Sequence, residues 1–182
     1  MELKENEVFE HLMLDIETMG NESFSSIISI GALEFNINTG NTGREFYVNV
    51  DLQSCINLGL KVNADTIMWW MDQSDEARKS LMSTDAVSIN VALCKLSKFF
   101  IFDYQVWGNS ARFDCGIIEN AFNKCGLKLP WEFWNERDVR TLVSFDPEAK
   151  KNCKFSGVAH NALSDCYHQA KYCSEIWMKL NK

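Results

Sequence analysis

The chain has 182 residues, 46% of them apolar and 12% aromatic, which suits one well-buried domain and is short for two. Its formal net charge of −7 argues against a broad basic surface of the sort that grips duplex DNA, although carboxylates that hold cations count towards that total. Seven cysteines, odd in number and without C-x-x-C spacing, argue against a disulfide framework and a cysteine zinc site, so a reducing, cytoplasmic setting is expected.

In chain order, Met1 to Glu7 is acidic where a signal peptide would be basic and then apolar. From His11 to Gly20, Leu12, Leu14 and Ile16 alternate with Met13, Asp15 and Glu17, the period of a β-strand. Phe24 to Phe35, rich in Ile and Ser, reads as a second strand, and Asn36 to Gly43 as the turn after it. Arg44 to Val50 sets Phe46, Val48 and Val50 against Tyr47 and Asn49 and makes a third. Three strands with short links predict an antiparallel meander.

Helices follow. Asn63 or Asp65 caps one that carries Ile67 to Met71, and Ser74 caps another through Ala77 and Leu81. From Ala86, apolar positions 89, 92, 93, 96, 99 and 100 follow the amphipathic spacing. The longest apolar run, Phe99 to Phe102, is far below a membrane span. Tyr104 to Gly108 is a short strand, and Phe113 to Cys125 a helix closed by Gly126, with Pro130 beyond it. Trp134 to Asp138 reads as a strand or turn, and Val139 to Phe145 as a short helix. Asp146 to Gly157, polar and with Pro147, reads as a loop. A last helix from about Asn161 has Ala162, Cys166, Ala170, Cys173, Trp177 and Leu180 as its inner face. The order predicts a single α/β domain over residues 1–182, with a mixed sheet antiparallel in its first three strands, then parallel, covered by helices.

Asp15 and Glu17 share one face of the first strand, with Cα atoms about 6.5–7 Å apart. Their repulsion, about 2–3 kcal/mol at that separation and an effective dielectric near 20, is relieved by a cation. Hard oxygen ligands suit magnesium or manganese. The plainer alternative is a strand end that exposes two acids to water. Asp114, just after the strand ending at Trp107, lies where ligand sites of α/β sheets gather, although the helix dipole alone favours an acid there. Asp165 falls one turn inside the last helix and His160 just before it. The imidazole, with an ordinary pKa near about 6.5, suits proton transfer from water; the alternative is a pair that caps the helix. His11 reads as a strand residue and His168 as a helix-face residue.

Asp15-Ile16-Glu17-Thr18, then Asn109-x-x-x-Phe113-Asp114, then His160-x-x-x-x-Asp165 resembles the three-motif signature of the DEDDh 3′→5′ exonucleases. These belong to the ribonuclease H-like superfamily, with ribonuclease T, oligoribonuclease and polymerase proofreading subunits. The match spans residues 12–170, and the Asp15 to Gly20 start with Trp69-Trp70 is most similar to small phage-type exonucleases of the group. The resemblance implies a ribonuclease H-like sheet and two-metal phosphodiester hydrolysis. Asp15, Glu17, Asp114 and Asp165 would hold two magnesium or manganese ions, and His160 would deprotonate the attacking water. The 3′-terminal nucleotide would leave as a 5′-monophosphate. Thr18 and Met19, whose backbone in the family touches the terminal sugar and base, are expected at the substrate, as is Asn109.

Trp69 and Trp70 lie about 100° apart on a helix, so one belongs to the core and the other is free to stack on a base. Arg137, Arg140, Lys150, Lys151 and Lys154 are candidate phosphate partners, with a solvated loop as the plainer reading of the lysines. The expected partner is the 3′ end of single-stranded or 3′-overhanging RNA or DNA, without a membrane, and with a homodimer as the assembly to test. Two other readings stand beside it. A non-catalytic binding or adaptor module would be expected to lose one of the five key residues, and all five remain. A small-nucleotide phosphohydrolase would leave long strands intact.

Overall fold

A computed structural model describes residues 7–81 and 83–182, so most of the acidic N-terminal stretch lies outside the described residues. The strands are β1 (His11–Thr18), β2 (Ile27–Phe35), β3 (Thr42–Asn49), β4 (Gln105–Gly108) and β5 (Glu136–Asp138). They form one sheet in the order β3-β2-β1-β4-β5. β1, β2 and β3 pair antiparallel, while β4 joins the other side of β1 in parallel and β5 extends β4 in parallel. The mixed sheet and its meander are as the alternation of apolar residues predicts.

Eight helices cover the sheet among the described residues: α1 (Leu52–Asn57), α2 (Ala64–Met71), α3 (Asp75–Ser80), α4 (Ile89–Phe99), α5 (Ala111–Cys125), α6 (Val139–Val143), α7 (Pro147–Asn152) and α8 (Ala162–Leu180). β1 is central and covered on both faces. Leu12, Leu14 and Ile16 pack with Leu93 and Leu96 of α4 and with Ile117, Ile118 and Phe122 of α5. Met13 packs on the opposite face with Leu33, Phe35, Cys166, Ala170 and Cys173. Each such side chain, fully buried, contributes about 1.5–3 kcal/mol relative to exposure. Side chains two apart share a face, so Asp15 and Glu17 continue the Met13 row and emerge beside α8.

Local chemistry sets most boundaries. Asn63 caps α2 by accepting from the Asp65 and Thr66 N–H groups at 2.8 and 3.2 Å. Gly126 closes α5 at φ 65°, the left-handed conformation that glycine adopts without Cβ strain.

Some expectations are corrected. Asp146 to Gly157 is not all loop. Asp146 caps α7 by accepting from the Ala149 N–H at 3.3 Å, and Pro147 sits in the first turn, where its missing N–H costs no helix bond. The six residues of α1 were not anticipated, being too few to display a period. Val87 bridges to Val50, so the helix expected from Ala86 begins at Ile89; the helix expected from Phe113 begins at Ala111. Ser25 bridges to Lys61, so Phe24 to Ser26 precedes β2. The expected Val139 to Phe145 helix ends at Val143, and Trp134 belongs to a 3₁₀ turn, Phe133–Asn135. Leu180, in the final turn of α8, is 52% exposed and does not line the helix's inner face.

Candidate active site

Asp15 and Glu17 stand at the carboxyl end of β1. Asp165 arrives from the first turn of α8, whose start is fixed by Asn161, the acceptor for the Ser164 N–H at 3.1 Å. Oxygens of Asp15, Glu17 and Asp165, one from each carboxylate, lie within 4.8 Å of one another. Asp114 lines the same cleft, of about 320 Å³, but is not in that group. It is 3% exposed and accepts the Ser110 N–H at 3.2 Å. Four acids thus line one cleft, three of them in close convergence.

Burial raises all four. Desolvation first, then the charges of Asp114, Glu17 and Asp165, hold the Asp15 carboxyl well above its usual range, against the pull of a Gln169 hydrogen bond. Glu17 is pushed up to about 8 by burial and by Asp165 and Asp114. Asp114 is pushed up to about 7 by burial, although the N–H groups of Ser110 and Ile16 oppose the shift. Asp165 rises to about 6 by burial, opposed by the His160 N–H. A cation relieves this repulsion. The donors are hard oxygens throughout, and two further buried oxygens of the cleft wall, Asn109 Oδ1 and Gln169 Oε1, have no partner. The residues fit a divalent cation that prefers oxygen ligands.

His160 lines the cleft with φ 61°, the one positive φ of a non-glycine residue among the described residues. Such a conformation costs on the order of 1–3 kcal/mol and persists where surrounding structure holds it. Trp69 and Trp70 meet the imidazole edge-to-face at 4.9 and 6.0 Å between centroids, and the His160 backbone N–H bonds to the Asp165 carboxylate. Burial lowers the His160 pKa, which favours the neutral ring. Asn161 supplies the side-chain cap of α8, leaving the imidazole free of that task.

The two tryptophans divide as their helical spacing requires. Trp70 is 2% exposed and donates its indole N–H to the Thr18 carbonyl at 2.9 Å, whereas Trp69 is 44% exposed. Thr18 is buried, its hydroxyl donating to the Gly20 carbonyl at 2.5 Å. The Met19 N–H donates to the Ser26 carbonyl at 2.9 Å, and its own carbonyl accepts from the Asn63 N–H at 2.7 Å. Thr18 and Met19 are thereby fixed next to the acids but outside the cleft lining. Asn109 is in the lining, and its carbonyl accepts from Arg140 Nε at 3.1 Å, which holds that guanidinium at the cleft wall. Arg137 instead donates to the carbonyls of Trp134 and Glu136, and Lys150, Lys151 and Lys154 do not line the cleft.

Sequence reasoning missed Gln169, which is buried and donates from Nε2 to Asp15 Oδ1 at 2.7 Å. Its signal was present: four residues past Asp165, it shares that residue's helix face. Gly31, also missed, pairs with Asp15 across β1 and β2.

A model of the 3′-5′ exoribonuclease Rv2179c-like domain matches residues 10–177. The chain belongs to that family. It is a 3′-5′ exonuclease by that family, and its mixed sheet has the fold of a solved DEDDh nuclease domain. Exodeoxyribonuclease of Enterobacteria phage T4 is 24% identical over 196 residues, covering 85% of this chain and 83% of the relative. Among solved structures, a zinc-bound Escherichia coli exonuclease I–single-stranded DNA complex superposes with TM-score 0.67 at 15% identity, over 94% of this chain and 41% of that one. This exonuclease therefore spans about two-fifths of exonuclease I. The nuclease domain of 3′hExo, a DEDDh family member bound to rAMP, superposes with TM-score 0.59 at 12% identity, over 92% and 91% of the two chains. Among the described residues of this exonuclease, no helix is long and apolar enough to cross a membrane.

Proposed function

We propose that this exonuclease removes nucleotides singly from the 3′ end of a single-stranded or 3′-overhanging nucleic acid, using two magnesium or manganese ions. The observation that carries the reading is the convergence of Asp15, Glu17 and Asp165 within 4.8 Å, with His160 on the same cleft. The relatives support the substrate class: one is an exodeoxyribonuclease by name, and the two solved structures described above hold single-stranded DNA and rAMP.

Asp15, Glu17, Asp165 and Asp114 would hold the ions, which would supply Lewis-acid neutralisation of the charge that develops on the phosphate. Gln169 orients the Asp15 carboxylate. His160, neutral and steadied by two indole edges, takes a proton from the attacking water. The water oxygen bonds to phosphorus as the P–O3′ bond breaks. The terminal nucleotide leaves with a 5′-phosphate, and the departing O3′ takes a proton from solvent, so the shortened strand ends in a 3′-hydroxyl. Arg140, at the cleft wall, offers its guanidinium to a phosphate oxygen. Trp69 presents its half-exposed ring to a base, a contact worth about 1–3 kcal/mol.

The test uses 5′-labelled RNA and DNA strands with magnesium or manganese, and with EDTA. A ladder shortening from the 3′ end, abolished by EDTA and absent in Asp15→Asn, is expected. Rapid cleavage of a circular strand by the pure protein would overturn the reading.

A further inference from the structure

The outer face of α8 carries residues that the acidic cleft does not use. Asp165 and Gln169 form one stripe of the helix, while Ser164, Tyr167, His168 and Lys171 recur at spacings of three and four on another. The β2–β3 turn and the segment from Lys154 to Gly157 face that second stripe. Together they border an open pocket of about 400 Å³, large enough for a nucleotide-sized ligand. The segment closes on the helix at Gly157, where φ is 112° and an added Cβ would lie 2.6 Å from Ser164 Oγ.

Two ammonium groups, from Lys154 and Lys171, stand with the Ser156 hydroxyl and the rings of Tyr167 and His168, while the Ser164 hydroxyl donates to Asn161 Oδ1 at 3.2 Å. Neither lysine is in an ion pair among the described residues. The nearby Glu45 carboxylate accepts from the Tyr167 hydroxyl at 2.8 Å. Burial and then the charges of Lys150 and Lys171 depress the His168 pKa, as a positive local field requires. Unpaired cations in a concave site on an otherwise acidic protein attract anions, and tetrahedral oxyanions accept from ammonium groups at several angles.

We infer that this cavity binds a phosphate group of a nucleotide. Its source is a backbone phosphate of the substrate strand, away from the scissile bond, or the 5′-phosphate of a free mononucleotide. The strand source rests on the exonuclease reading above; the phosphate chemistry of the cavity does not. The segment that closes the cavity continues through Val158 and Ala159 into His160, so a bound phosphate also steadies the approach to the proposed base.

The experiment compares the parent with Lys154→Gln/Lys171→Gln and with Lys95→Gln/Lys98→Gln, which makes the same charge change on α4. In EDTA, where no strand is cut, binding of AMP, inorganic phosphate and a 5′-labelled oligonucleotide is measured against salt, alongside the melting temperature. If the strand is the source, the slope of log affinity against log salt becomes shallower by about 0.7 for each phosphate that the first variant no longer neutralises, and stays at the parental value in the α4 control. If a free nucleotide is the source, AMP and phosphate weaken by about tenfold or more, as removal of a charge-assisted hydrogen bond implies, with the strand slope unchanged. Equal binding of all three probes by both variants would overturn the assignment. A parent that binds as expected but cuts nothing would sink the exonuclease reading and leave the cavity standing.

Discussion

Gly31 of β2 lies opposite Asp15 of β1, and a Cβ on Gly31 would come within 2.5 Å of the Ala162 carbonyl carbon at the start of α8. The contact is with backbone, so no side chain can swing away to make room. A hydrogen in place of a methyl lets α8 settle against the sheet and brings Asp165 to Asp15 and Glu17. Gly31→Ala is expected to shift the first turn of α8, cost about 1–3 kcal/mol as overpacking does, and lose turnover out of proportion to that cost. Melting temperature and rate, measured together, check this; parental values of both would mean that the helix relaxes freely.

Bound cations should stabilise the fold. At about 100 times the dissociation constant, each independent ion adds about 2.7 kcal/mol. Melting temperature is expected to rise with magnesium or manganese in the parent and to rise less in Asp15→Asn, Glu17→Gln and Asp165→Asn. An identical response in parent and variants would place the ions elsewhere.

His160 and Asn161 are neighbours with separable tasks. His160→Ala is expected to lose about 10²–10⁴-fold in rate, the usual contribution of a general base, while keeping the metal-dependent stabilisation. Asn161→Ala removes the cap of α8 and is expected to cost about 0.5–2 kcal/mol of stability with a much smaller rate loss. Near-parental rates in His160→Ala would remove the imidazole from the mechanism.

Arg140 is the one lysine or arginine on the cleft wall among the described residues. Arg140→Gln is expected to lower kcat/KM by about tenfold to a hundredfold, as loss of a charged hydrogen bond of about 1.5–3 kcal/mol implies. Arg137→Gln, whose guanidinium serves nearby carbonyls, is the control and should stay near the parent. Equal losses in the two would point to a diffuse charge effect.

Acid stability should depend on Glu34, which is 3% exposed and accepts from Arg44 Nη2 and Nε at 2.6 and 3.0 Å and from the Tyr104 hydroxyl. Burial is the largest single influence and pushes its pKa up, but the donors on Arg44 and Tyr104 together outweigh it and leave the carboxyl below 4.5. The folded value is therefore below the unfolded one. The stabilisation is complete above the ordinary glutamate range and is lost as pH falls through the lowered folded value. Melting temperature against pH should drop on that acid side in the parent. Glu34→Gln should start lower by about 1–3 kcal/mol at neutral pH and show a shallower acid limb. Parallel curves for the two proteins would assign the acid limb to other groups.

What the sequence shows depends on how local the cause is. Asp15 and Glu17 were legible because a strand's period of two puts them on one face whatever follows. The antiparallel meander was legible for the same reason, and cap chemistry narrowed the start of α2 to Asn63 or Asp65, of which the structure uses Asn63. The convergence of Asp165 on that pair was legible only as part of an ordered motif, since nothing local places α8 over β1. Gln169 escaped notice because its partner is 154 residues away, and an amide on a helix resembles any surface polar residue. Gly31 escaped because its role is an empty volume, visible only once α8 is in place. Trp69 and Trp70 could be told apart only by the carbonyl that one of them reaches. α7 was hidden by its lysines and proline, which suit a short capped helix as well as a loop.

The cleft is assembled from opposite ends of the described chain, with Asp15 and Gln169 joined across 154 residues. Contacts of that sequence separation close late, because the entropy of the intervening loop must be overcome first. At about 5–20 residues per second, a ribosome needs roughly 8–30 s to pass from one side of the cleft to the other. Throughout that interval the acids of β1 have no partner from α8, and a nascent chain that lacks this helix has no complete centre. Hydrolytic capacity in this protein is thus tied to the emergence of α8 from the ribosome, the last element to reach the cleft.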